Sequence, residues 1–180
     1  MKPVQIFLTF ALMATASAAP LPLGGSANVP LADEIAGDGA GGWTDQGAEN
    51  SLTGFPRGEV TFEGIPFLIP VEGNNAAVAF QNAHRTGMPA QVTISAGGAK
   101  GKFLYLLTSC AFEFSRGQEV ASVTIRYADG TSQVEQLVYE RQTGAWWVPS
   151  TPDAGVVAWR GKNALDVPVG AYLSWIKLSD

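Results

Sequence analysis

The chain has 180 residues, room for one domain, and carries a formal charge of −5 from 16 acidic and 11 basic side chains. That balance, with no basic run to track phosphates, argues against nucleic acid and anionic lipid as partners and is neutral toward a sugar. Cys110 is the only cysteine, so no intramolecular disulfide can form.

Met1-Lys2 is a short positive start, Val4 to Ala14 an apolar run, and Ala16-Ser17-Ala18 a small-x-small cleavage signal. The run is too short to be a membrane span, and no later stretch approaches the length a span needs. Residues 1–18 therefore read as a signal peptide, and the mature chain as secreted or periplasmic. Cleavage after Ala18 removes Lys2, which takes the charge from −5 to −6. From Ala19 to Gly41, Pro, Gly, Ala and small polar residues dominate, so 19–41 reads as a flexible linker and 42–180 as the folded domain.

Gly42 to Phe67 opens that domain. Trp43 stands near Asp45, Gln46 and Asn50 among several glycines, and Asp45 and Asn50 favour side-chain-to-backbone turns. Two readings apply: Trp43 plugs the end of a sandwich while the polar residues hold the turn, or the loop touches a ligand or a cation. Val60 to Phe62, Pro66 to Pro70, Ala76 to Gln81 and Gln91 to Ser95 are short strand candidates. His84 lies between them in a loop; as the sole histidine it offers no His-based metal centre.

Phe103 to Phe114 is the longest apolar strand. Cys110 shares one face with Leu104, Leu106, Phe112 and Phe114, the setting of a buried, inert thiol. The other face carries Phe103, Tyr105 and Leu107, so something must cover it as well. Glu119 to Tyr127 alternates cleanly, Ala128-Asp129-Gly130-Thr131 supplies a turn, and Gln133 to Glu140 returns: a hairpin. Val156 to Trp159 and Tyr172 to Leu178 are the last strands. The pattern predicts an all-β, two-sheet antiparallel sandwich.

Trp43-Thr44-Asp45-Gln46-Gly47 with Asn50, Phe62-x-Gly64-Ile65-Pro66-Phe67, Phe103 to Leu107 with Cys110-Ala111, Tyr127 to Thr131, and Ala158 to Asn163 follow one another in order. Together they resemble a module attached to bacterial secreted proteins that act on polysaccharides. The resemblance covers residues 42 to 176 and implies a galactose-binding-like jelly roll of the carbohydrate-binding type. In such modules the strand matching Tyr172 to Ile176 leads into one more strand, whereas here the chain closes at Asp180. The sandwich is thus expected to lack a final edge strand, and both a truncated copy and an assembly with a partner chain at the open edge fit. The resemblance also raises a structural calcium, for which Asp45, Asn50 and loop carbonyls offer oxygen ligands.

No enzyme signature accompanies these residues. There is no Gly-x-Ser-x-Gly elbow, no Cys/His ligand cluster, no phosphate-cradling loop before a helix, and no acid pair that spacing can reveal. Sugar binding asks only for flat aromatic rings and a few planar polar groups. Of the five Trp, Trp175 and one of Trp146 and Trp147 read as core, while Trp43 and Trp159 read as nearer the surface. The expected function is a non-catalytic carbohydrate-binding module, its site formed by Trp43, Asp45, Gln46, Asn50, Trp159 and Arg160. The competing expectation is a structural or protein-interaction sandwich in which Asp45 pairs with Arg160 beneath Trp43.

Overall fold

The computed structural model describes residues 6–14, 17–71, 75–81 and 85–179, with the backbone alone for 6–14 and 17. His84 and the Met1-Lys2 start of the leader lie outside these residues. The fold is all-β, as the sequence pattern predicts. A five-stranded antiparallel sheet runs in the order β10 (Val156–Lys162), β11 (Pro168–Lys177), β7 (Phe103–Cys110), β1 (Ile6–Ala14) and β2 (Ser17–Leu21). Two hairpins, β4 (Gly58–Phe62) with β5 (Ile65–Ile69) and β8 (Glu119–Arg126) with β9 (Ser132–Val138), accompany it. A short pair, β3 (Val29–Pro30) with β6 (Asn75–Ala77), completes the set.

The layering follows from β7. Its alternate residues face opposite ways, and both sets are apolar. Leu104, Leu106 and Cys110 join Ile176 in one buried cluster, which Leu137, Tyr139 and Val120 of the β8–β9 region close. Leu107 joins Leu173 and Ala171 in a second cluster with Phe62, Ile65, Phe67 and Ile69 of the β4–β5 hairpin and with Trp43 and Trp146. The sheet is therefore sandwiched between two hairpins, and the cover that the second face of β7 demanded is hairpin plus Trp43 loop. Trp43 and Trp146 meet edge to face with ring centroids 5.4 Å apart, a geometry that adds about 0.5–1.5 kcal/mol beyond area burial.

Local chemistry sets the turns. Glu63 and Gly64 both have positive φ, 51° and 76°, which makes the tight two-residue connection that suits the twist of β4 and β5. At the β8–β9 turn Asp129 Oδ1 accepts from Thr131 N at 2.9 Å and from Thr131 Oγ1 at 2.7 Å, while Gly130 takes φ 89°.

Three expectations differ from what is found. Residues 19–41 are not a loose tether: Leu23, Val29 and Leu31 are buried, and the Asn28 amide grips Ala79 through Nδ2 to its O at 2.8 Å and from its N at 2.7 Å. A few well-placed apolar side chains and paired amides outweigh a poor average composition. Gln91 to Ser95 forms no strand; Val92 and Ile94 pack on the second hairpin's cluster, but among the described residues no neighbouring backbone supplies a ladder. The last strand, β11, does not open an edge, because β10 and β7 flank it; the edges of the sheet among the described residues are β10 and β2.

Trp146 is 1% exposed and joins both the Trp43 contact and the β10–β11 side of the core, so Trp146→Ala is expected to cost about 3–5 kcal/mol, read as a lowered urea midpoint.

Candidate functional site

The six residues expected to form one sugar site are divided among different tasks. Trp43 is 1% exposed, so its ring has no free face for a ligand. It is fixed from below by a backbone lattice in which Gly42 N donates to Ala32 O at 2.8 Å and Leu52 N to Leu31 O at 2.8 Å. Arg85, itself buried, donates from Nη1 to Gly42 O and from Nη2 to Gly39 O at 3.4 Å. The burial of Trp43 matches its reading as a plug.

Asp45 turns into its own loop, where Oδ2 accepts from Gly39 N at 3.2 Å. Asn50 ties two regions together: Nδ2 donates to Gln46 O at 3.3 Å, and Oδ1 accepts from Asn163 Nδ2 at 3.3 Å. Asn163 in turn accepts from Leu165 N and Val167 N and so holds the turn between β10 and β11. Asn50 thereby ties the Trp43 loop to the turn between β10 and β11. Trp159 is half-buried, packs edge to face on Phe55 at 4.8 Å, and lies over Gly161, where any Cβ would come within 2.4 Å of the indole. Arg160 is exposed and donates to Pro149 O at 2.9 Å, so the expected Asp45–Arg160 pair is not made.

A different set of residues makes a concave surface. Trp175 on β11 stands directly opposite Tyr105 on β7, on the face that carries Leu173. The β4–β5 hairpin covers only part of that face. What it leaves is a shallow depression of about 240 Å³ lined by Glu63, Ile65, Tyr105, Val156, Leu173 and Trp175. Trp175 is 47% exposed, Glu63 sits exposed at the hairpin turn, and Phe103 lies next to Tyr105 with ring centroids 6.3 Å apart. Two aromatic rings with an apolar floor and one carboxylate at the rim can stack a flat apolar face and accept hydrogen bonds from hydroxyls. Trp175 was expected in the core. The signal that could have found it is the phase of the strand: Trp175 shares its face with Lys177, whereas the buried Tyr172, Ser174 and Ile176 lie on the other.

Cys110 lies away from this groove, fully buried, with Sγ 4.0 Å from Thr143 Oγ1. Burial pushes its thiol up to about 12, and the Thr143 bond offsets this only in part. A thiol held neutral at physiological pH is a poor nucleophile, which agrees with the inert assignment.

Comparison with protein-family models, curated proteins and solved structures finds no match to this chain.

The raised thiol has a consequence for stability. The fold favours neutral Cys110, so its contribution is complete below the ordinary value of 9.0 and is lost as pH rises toward about 12. The unfolding free energy read from urea melts should therefore fall above pH ~9, by up to about 1.4 kcal/mol per pH unit from this group. Burial also raises Tyr172, so part of the slope persists in Cys110→Ala, but that variant should show a shallower fall than the parent.

Proposed function

We propose that this chain is an exported, non-catalytic carbohydrate-binding module that holds a poly- or oligosaccharide in the Trp175–Tyr105 groove. The observation that carries the reading is the half-exposed Trp175 ring paired across strands with Tyr105 on a concave sheet face. Pyranose rings present flat C–H faces that stack on indole and phenol, and Glu63 is placed to accept from equatorial hydroxyls. Glu63 is the only carboxylate among the lining residues, and glycoside hydrolysis asks for two, about 5–10 Å apart. That supports binding over cleavage. Export rests on the leader pattern of residues 1–18, and cleavage there would take β1 and the first two residues of β2 out of the sheet, leaving β7 with β11 as its ladder partner.

The test is a titration of intrinsic Trp fluorescence with a panel of soluble polysaccharides and oligosaccharides. A saturable shift is expected, lost in Trp175→Ala and weakened about tenfold in Tyr105→Ala. Trp147→Ala, which removes a partly exposed ring that is not among the groove's lining residues, should bind like the parent. A folded protein that responds to no sugar would transfer the groove to a protein partner.

A further inference from the structure

We propose that the glycine-rich loop from Asp33 to Gly47 is a calcium site in which Asp33, Asp38 and Asp45 supply the carboxylate ligands. Ligand oxygens of the three residues all lie within 4.8 Å of one another. Calcium–oxygen contacts run about 2.3–2.6 Å, so two ligands on one ion stand at most about 5 Å apart, and this cluster fits that span.

Acid clusters alone are common on surfaces, but two oxygens here are not on the surface. Asp33 is 5% exposed; its Oδ2 accepts from Gly47 N at 2.9 Å, while Oδ1 is closed off from solvent and accepts from no donor. Asp45 repeats the arrangement, with Oδ2 engaged by Gly39 N and Oδ1 closed off and without a donor. A carboxylate oxygen denied both water and a hydrogen bond is strongly unfavourable, and two in one loop repel as well. A cation removes both penalties at once. Arg85, buried against the same loop, brings one positive charge to three negative ones, and the two left over match a divalent ion.

The rest of the loop is shaped for this. Gly41 and Gly42 have φ of 66° and 30°, and a Cβ on Gly42 would stand 2.4 Å from that of Asp33, so only glycine lets the backbone close over the carboxylate. Asp38 is exposed, with Oδ1 accepting from Ala40 N at 2.8 Å, and leaves a solvent side where water completes the coordination. An all-carboxylate set suits a hard cation rather than zinc, and magnesium sheds its water less readily than calcium. The site is independent of the sugar reading.

The experiment uses the full chain stripped with EDTA. Calcium chloride is titrated calorimetrically and against thermal melting, up to about 10 mM, beyond the weak range of extracellular calcium modules. Terbium luminescence excited through Trp43, two residues from Asp45, reports the location. The expected results are one calcium per chain, a higher melting midpoint with calcium than with magnesium, and terbium emission quenched by calcium. Asp45→Asn and the exposed Asp38→Asn should each weaken binding about tenfold or more. A folded parent that takes up no calcium and gains no thermal stability would overturn the proposal. So would calcium uptake unchanged in both variants, since the ion would then lie elsewhere.

Discussion

Leu104, Leu106 and Cys110 point to one side of β7 and Tyr105 and Leu107 to the other, so a single opposed sheet cannot keep this strand dry. Each other part of the core answers that demand. The β8–β9 hairpin lies over one face, and the β4–β5 hairpin with Trp43 and Trp146 over the other. Burial of this kind is worth about 25 cal/mol per Å² of apolar surface, so each face of β7 gains from its cover. Some of the neutral polar atoms caught between the layers are satisfied locally, as with Thr108 and Thr143 at 2.9 Å and Tyr172 with Ala145 O at 2.7 Å.

The same constraint explains why the groove lies where it does. The β4–β5 hairpin is only five residues a side, and its turn at Glu63-Gly64 falls short of covering the β11–β7 surface around Trp175. Tyr105 and Trp175 thus keep one flank against the core and one open. The loop that carries Trp43 sits on the same side of the sheet but serves a different purpose. It bridges the first third of the chain to the β10–β11 turn through Asn50 and Asn163, residues that are far apart in sequence and bonded in space.

Much of this was legible in the residues. The alternation of β8, its Asp-Gly turn and the return strand specify that hairpin without tertiary help, and the two apolar faces of β7 announce that two covers exist. What could not be read were properties set by distant partners. Beside Trp175 only Lys177, on the same face, hints that it is not a core tryptophan, and its exposure depends on where an unrelated hairpin stops. Trp43, ringed by Thr44, Asp45 and Gln46, reads as a surface residue until Trp146 is seen against it. Asp33 and Asp38 were hidden by averaging: a stretch of Ala, Gly and Pro has the composition of a linker even when three of its apolar residues are buried.

The placement of β7 also governs the order in which the chain can assemble. Its two neighbours come from opposite ends of the sequence, β1 from the beginning and β11 from the close, whereas β4–β5 and β8–β9 are joined by short turns. Hairpins close in about 1–10 μs, while sheets built on remote pairings take milliseconds to seconds because the connecting loops must be closed first. In the full chain β7, apolar on both faces, therefore waits longest for its partners, with both rows of backbone groups unpaired. That interval exposes unpaired apolar backbone during refolding of the full chain, a hazard separate from the stability of the finished fold.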